Sequence, residues 1–190
     1  MGPDLAASLL STRGFMQIGA LLVRRSRRTD RVWFATGREV VEDVRYVMAL
    51  AMAGARFVSS ESAERGLLFR QHTGPRYSTR PTDSFARGCA AVAAWAEAEW
   101  ERHGGLTSHR RDALGEAYAF AARQLAELDP AAFRAIAAKG LGHGESFLRH
   151  LPARVRWLSW LVGYTRAESI AASWRRARRR DATNQTVEAS

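Results

Sequence analysis

The residues best suited to chemistry in this sequence are arginines near its C-terminal end, in the run SWRRARRRD from Ser173 to Asp181. A guanidinium group offers a planar fork of N–H donors that fits a phosphate, and it can also stack on a base. The run therefore predicts contact with a polyanion. Arginine near a helix C-terminus also interacts with the helix dipole, which would account for one or two of these residues. The predicted contacts in the run are Arg175, Arg176, Arg178, Arg179 and Arg180.

Positive charge is concentrated in two further segments. The 190 residues include 29 Lys+Arg and 19 Asp+Glu, a net charge of +10. Residues 24–31 hold five arginines and one acid, and residues 65–80 hold four arginines and no acid, whereas residues 93–130 carry a net charge of −3. Clusters of one sign repel each other within the molecule, and a bound polyanion relieves that repulsion. The predicted contacts outside the C-terminal run are Arg24, Arg25, Arg27, Arg28, Arg70, Arg76, Arg80 and Arg154.

Sequence motifs of enzymes and metal sites are absent. There is no P-loop, GxSxG, GxGxxG or HExxH sequence, and no two histidines have the i, i+4 spacing of a zinc site on a helix. His143, Glu145 and His150 are close in sequence, but GHGE is more typical of a helix entry. Cys89 is the only cysteine, and its place on an apolar stripe indicates a core residue. We expect a protein that is not an enzyme and that has no metal or other cofactor.

The arginines need a scaffold, and the apolar residues recur at helical spacing from Thr36 onwards. Thr36 and Glu39 form a capping-box pattern, and Thr165 and Glu168 form a second one. Asp129 followed by Pro130 is typical of a helix start. We expect helices over residues 36–57, 60–71, 83–103, 108–128, 130–140, 153–163 and 165–180, with a short helix opened by PDLAASLLS near the N-terminus and another segment, ESFLRHL, after GHGE.

Two adjacent helices carry the clearest apolar stripes, and a Gly-Gly turn joins them into an antiparallel hairpin. The first stripe comprises Phe85, Cys89, Val92, Ala96 and Trp100, and the second comprises Leu114, Tyr118, Ala121, Leu125 and Leu128.

The last two predicted helices are harder to orient. In ARVRWLSWLVG, apolar residues cover most of the helix circumference, which predicts burial in the centre of the protein or against a partner. In the final helix, one apolar face can dock on the core, so that the neighbouring arginines point away from it. That face comprises Ile170, Ala171, Trp174 and Ala177, and the outward arginines are Arg175, Arg176, Arg178 and Arg179.

The predicted fold class is all-α, a helical bundle over residues 37–180. Residues 1–36 form an N-terminal arm with a basic loop, and residues 181–190 a disordered tail. Within the arm, FMQIGALLV and RVWFAT are each compatible with a strand of a short β-hairpin, with a buried helix or with an irregular arm. No apolar run approaches the ~20 residues of a membrane span. We expect a cytoplasmic protein.

The C-terminal third resembles the small-subunit family of multisubunit CRISPR effector complexes. The resemblance covers FRAIAAKG, ESFLRHLPARVRWLSWL and ESIAASWRRARRR. It implies a non-enzymatic, all-helical subunit that is present in several copies and holds a guide–target duplex or a displaced DNA strand by its phosphates. The matching positions are Phe133, Leu148, Leu151, Val155, Leu158, Leu161, Trp174 and the arginines that follow.

The expected function is thus a non-catalytic nucleic-acid-binding subunit of a ribonucleoprotein assembly. Its partners would be RNA or DNA and other protein subunits, including copies of itself, but no membrane. A helix-turn-helix regulator is the main alternative, although its best position, residues 39–71, contains a connection longer than the usual three- or four-residue turn. An enzyme without a recognisable motif and a basic membrane-surface protein are further alternatives.

Overall fold

The computed structural model describes residues 4–11, 21–24, 26, 29–34, 41–58 and 83–188, with side chains as far as residue 178. These residues form α-helices and no strand, which confirms the all-α fold class. The helices are α1 (Leu5–Leu10), α2 (Glu42–Met52), α3 (Asp83–Arg102), α4 (Ser108–Leu128), α5 (Pro130–Gly142), α6 (Glu145–Leu148), α7 (Ala153–Val162) and α8 (Tyr164–Glu188).

Helices α3 and α4 form the predicted antiparallel hairpin. Helix α4 is the centre of the fold, because it packs against α1, α3, α5, α6 and α8. At its start, the Thr107 hydroxyl accepts a hydrogen bond from the Arg110 N–H at 3.3 Å, a helix-capping contact. The predicted stripes are largely buried, although Phe85 and Cys89 are only partly covered and Leu128 is exposed. The fully covered stripe residues are Val92, Ala96, Trp100, Leu114, Tyr118, Ala121 and Leu125.

Small residues on α4 let its neighbours approach closely. At Gly115, an added Cβ would overlap the Ser146 carbonyl group and lie 2.8 Å from the Phe147 backbone nitrogen. Phe147 is itself fully buried and meets Tyr164 edge to face, with ring centroids 5.0 Å apart. The α4–α6 contact is therefore a backbone-to-backbone contact that leaves no room for a side chain.

The start of α5 agrees with the sequence prediction. The Asp129 carboxylate accepts hydrogen bonds from the N–H groups of Ala131 and Ala132, each at 3.0 Å, and Pro130 occupies the first turn. The bond from Ala132 is the largest influence on the pKa of Asp129 and lowers it. Desolvation opposes this effect, and the nearby Arg87 guanidinium and the bond from Ala131 lower the pKa further. The helix ends at Gly142 rather than at Gly140.

Helix α2 is shorter than the sequence predicts. It ends at Met52 instead of near Phe57, because Gly54 adopts a φ of 78° and Ala55 donates its N–H to the Leu50 carbonyl at 3.0 Å. This is the usual glycine-terminated helix end. The Thr36 capping box and the helix expected over 60–71 lie outside the described residues.

Of the three alternatives for the N-terminal arm, the irregular one agrees with its described residues between 21 and 34, which contain no strand; most of FMQIGALLV lies outside the described residues. Thr29–Arg31 forms a 3-10 turn, closed by a hydrogen bond of 2.9 Å from the Ser26 N–H to the Thr29 hydroxyl. Asp4 caps α1 through the Ala7 N–H at 3.1 Å, and α1 packs on α2 and α4.

The C-terminal end also differs from the prediction. Helix α8 begins at Tyr164 and continues to Glu188, past the expected end near Arg180 and into the segment expected to be a disordered tail. The capping box expected from Thr165 and Glu168 does not form, because Glu168 is buried and its carboxylate binds Arg175.

Candidate nucleic-acid interface

Helix α7 lies on the surface, so the prediction of burial in the centre of the protein is wrong, while burial against a partner stays a prediction. Val155 is its one buried residue. Trp157 is 73% exposed and Trp160 is 88% exposed. The helix packs mainly on α8, through the narrow side that contains Val155 and Leu158, and this contact cannot cover its other apolar residues.

Exposed arginines lie next to these tryptophans on α7. Arg154 and Arg156 are both exposed, in the first turn of α7. Residues three or four positions apart are neighbours on a helix surface, which pairs Arg154 with Trp157 and Arg156 with Trp160. The outer surface of α7 is therefore both cationic and aromatic.

Helix α8 docks with a different face from the one predicted. Ala167, Glu168 and Ala172 face the core, whereas Trp174 is 68% exposed and Ile170 is also exposed. Apart from Tyr164 and Glu168, the inward residues are small, and this lets α8 lie close to α4 and α7. The large apolar residues that suggested a docking face are left at the surface.

The contacts of Arg175 explain why α8 docks with this face rather than with the predicted one. Arg175 was predicted to point away from the core, and that prediction is wrong. Its Nη2 donates to Glu168 Oε1 at 2.7 Å, and its Nε donates to Glu127 Oε1 on α4. Burial alone would lower the pKa of Arg175, but the hydrogen bonds to Glu127 and Glu168 outweigh burial and raise it. Arg175 therefore joins α8 to α4.

Glu168 is the only charged residue that is buried in the part of the chain that the structure describes. Burial raises the pKa of Glu168, and the Arg175 guanidinium offsets this only in part. A buried carboxylate without a cationic partner is strongly unfavourable, so Glu168 fixes which side of α8 faces the core.

The other arginines of this region face solvent. Arg176 is exposed, and its guanidinium reaches the Glu127 carbonyl at 3.4 Å and the Ser173 hydroxyl at 3.2 Å. The remaining four make no ion pair with another described residue and are free to bind an anion; they are Arg154, Arg156, Arg166 and Arg178.

We name one surface the α7–α8 face, which comprises Arg154, Arg156, Trp157, Trp160, Trp174 and Arg178. Two open grooves cross it, on opposite sides of α7. The groove between α7 and α8, about 530 Å³, is lined by Arg154, Trp174 and Arg178. The groove between α6 and α7, about 670 Å³, is lined by Arg149, Arg156 and Trp160 and also by the acid Glu145.

The remaining predicted contacts are described only in part. Arg24 is exposed in the N-terminal arm. Arg179 and Arg180 belong to α8, but their side chains lie outside the described residues. Six further predicted contacts also lie outside them, namely Arg25, Arg27, Arg28, Arg70, Arg76 and Arg80.

The histidines that the sequence brought close together are held apart by separate carboxylates. His143 Nε2 lies 3.2 Å from Glu97 Oε1, and His150 Nε2 lies 2.8 Å from Asp112 Oδ1. Asp112 also pairs with Arg149 at 2.6 Å. These contacts link the last helices to the α3–α4 hairpin. No group of metal-ligating side chains is found among the described residues.

The sequence assigned Trp174 to the core, whereas the structure leaves it exposed. The spacing of Trp174 and Arg178, four residues apart, is the same aromatic–cationic signal that α7 shows twice. No helix in the described part of the chain is long and apolar enough to cross a membrane. Comparison of the chain with protein-family models, with curated proteins and with solved structures gives no match.

Proposed function

We propose that this protein is a non-catalytic nucleic-acid-binding subunit of a ribonucleoprotein assembly, and that it binds phosphates through the α7–α8 face. The observation that carries the proposal is the set of exposed arginines without an ion pair among the described residues, with Arg154, Arg156 and Arg178 on this face. Guanidinium groups presented in this way suit phosphate oxygens.

The sign of the charge on this face supports the proposal. Between residues 149 and 178, Glu168 is the only acidic residue, and it is buried against Arg175. The solvent-facing charge contributed by these residues is therefore entirely positive. Contacts of this kind position a protein on a phosphate backbone without reading the base sequence.

The most specific form of the proposal is a small subunit of a CRISPR effector complex. It is supported by the resemblance over residues 133–180 and by the helical fold. In such a complex, base pairing with the guide would supply sequence specificity, while this subunit would hold guide–target or displaced-strand phosphates. Its partners would be other protein subunits, including further copies of itself, and its location would be the cytoplasm.

Binding to a labelled oligonucleotide of mixed sequence, measured over a series of salt concentrations, tests the proposal. Each phosphate contact contributes about 0.7 to 0.9 to the slope of log K against log salt. The variant Arg154→Ala/Arg156→Ala/Arg178→Ala is expected to reduce that slope by about 2 to 3. All three side chains are exposed, so the fold is expected to be retained.

A control variant removes the same net charge elsewhere. Arg102, Arg134 and Lys139 are exposed cations on α3 and α5, and replacing all three with alanine is expected to change the slope by less than about 1. Equal slope changes in the two triple variants would contradict binding at the α7–α8 face. A wild-type protein that binds no nucleic acid at low salt would contradict the proposed function as a whole.

A further inference from the structure

The exposed tryptophans of the α7–α8 face need an explanation beyond phosphate contact. Trp157, Trp160 and Trp174 each leave more than two thirds of their surface in solvent. A tryptophan side chain carries a large apolar surface, and a cluster of such side chains in solvent indicates a surface that a ligand or partner covers. Arginine contact with phosphates alone does not require any of them.

The charge of the face decides which occupant fits. Arg154, Arg156 and Arg178 surround the tryptophans, and no exposed acid lies between residues 149 and 178. A second copy that presents the same face would bring like charges together, which is unfavourable. An occupant that supplies both anionic groups and flat apolar rings complements the whole face.

We propose that the α7–α8 face binds single-stranded nucleic acid, with bases stacked on Trp157, Trp160 and Trp174 and with phosphates at the neighbouring arginines. The inference rests on the proposed function and specifies the strand state of its ligand. Positively charged grooves with aromatic stacking positions are the general means of holding single strands without sequence preference.

In each groove, a tryptophan on which a base could stack lies beside an arginine that could bind a phosphate. Trp174 shares the α7–α8 groove with Arg154 and Arg178. Trp160 shares the α6–α7 groove with Arg156, which has no ion pair among the described residues; the groove also contains Arg149, which is paired with Asp112, and Glu145. Trp157 lies on the outer surface of α7, three residues from each of Arg154 and Trp160. A strand that crosses α7 would thus meet a ring and a cation in each groove.

The choice of a single strand rather than a duplex rests on whether the base faces are accessible for stacking. In a duplex the base faces are stacked on each other, and only backbone phosphates and groove edges can be reached. A single strand presents its base faces to an aromatic platform. Tryptophan replacement is therefore expected to affect single-strand binding and to leave duplex binding nearly unchanged.

The experiment compares oligothymidylate of 20 nucleotides with a 20-base-pair duplex, by fluorescence anisotropy at fixed salt, for the full chain. Trp160→Leu and Trp174→Leu are each expected to weaken single-strand binding about tenfold and duplex binding less than about twofold. The corresponding Trp→Phe variants keep a stacking ring and are expected to retain most of the affinity. Trp33 is 74% exposed in the N-terminal arm, and Trp33→Leu is the control expected to have no effect.

Several outcomes would overturn the inference. If the leucine and phenylalanine variants weaken binding equally, or if the tryptophans affect duplex and single strand alike, stacking is not involved. Phosphate binding that depends on the arginines but not on the tryptophans would overturn the inference and leave the proposed function intact. A change of oligomeric state in the Trp→Leu variants, or wild-type binding to anionic vesicles in preference to oligothymidylate, would identify a different occupant.

Discussion

The variant Gly115→Ala is expected to lower the free energy of unfolding by about 3 kcal/mol. A Cβ at this position would overlap the Ser146 carbonyl, and it would lie 2.8 Å from the Phe147 nitrogen. These are backbone atoms, and Phe147 is fully buried, so no side chain can rotate to make room. Helix α6 would have to move away from α4, which would open the packing around the Phe147 ring.

The direction of this effect distinguishes packing from helix propensity. In an unconstrained helix interior, alanine is more favourable than glycine by about 1 kcal/mol. Gly142, the last residue of α5, has no atom within 4 Å of an added Cβ and provides the control. Urea unfolding followed by circular dichroism should show Gly115→Ala well below the wild type and Gly142→Ala equal to it or slightly more stable. A Gly115→Ala variant as stable as the wild type would contradict the close α4–α6 approach.

The variant Arg175→Met is expected to cost about 3 kcal/mol at pH 8, because it leaves the Glu168 carboxylate buried without its partner. The Arg175 side chain is 29% exposed and that of Glu168 is fully covered, so solvent cannot replace the lost ion pair efficiently. Methionine keeps much of the apolar stem of arginine. The double variant Arg175→Met/Glu168→Gln removes the buried charge as well, and we expect it to recover most of the loss.

The pH dependence of this loss follows from the direction of the Glu168 pKa shift. The folded-state pKa is raised by burial, so the folded protein retains the Glu168 proton at pH values where the unfolded chain has lost it. The stability that the protonated group contributes is lost as the pH rises through the folded-state pKa. Without Arg175 this pKa rises further, so Arg175→Met should lose less stability at pH 5 than at pH 8. An equal loss at both pH values would show that Glu168 does not carry the effect.

The central hairpin was predictable because its signals are local. The stripe from Leu114 to Leu125, the Gly-Gly turn and the Asp129 cap each act over a few residues, and each is found in the structure. Helix type and boundaries follow from such short-range patterns whatever the rest of the chain does. Gly54 ends α2 by the same kind of local signal, which the prediction of a helix as far as residue 57 did not use.

The orientation of α7 and α8 could not be predicted in the same way. An apolar face in the sequence does not reveal whether the rest of the protein is large enough to cover it, and Trp157 and Trp160 remain exposed for lack of a neighbouring element among the described residues. The rotation of α8 depends on Glu127, which lies 48 residues from Arg175. An ion pair between residues so far apart in the sequence cannot be predicted from the local pattern of apolar and charged residues.

The predicted nucleic-acid contacts also include some that the sequence could place correctly and one that it could not. Counting charge in the sequence placed Arg154, Arg176 and Arg178 at the surface, where the structure has them. Counting could not separate these residues from Arg175, which holds two helices together. An arginine can face solvent, where it can bind an anion, or it can join two helices. Only the positions of the surrounding carboxylates distinguish these two roles.

Photo-crosslinking of the full chain to an oligonucleotide containing 4-thiothymidine, followed by identification of the crosslinked peptides, reports which surface of the protein contacts nucleic acid. We expect crosslinks within residues 153–178, on α7 and the first part of α8, and few on the α3–α4 hairpin, where acids outnumber arginines. Crosslinks confined to residues 83–128, with none on α7 or α8, would contradict it.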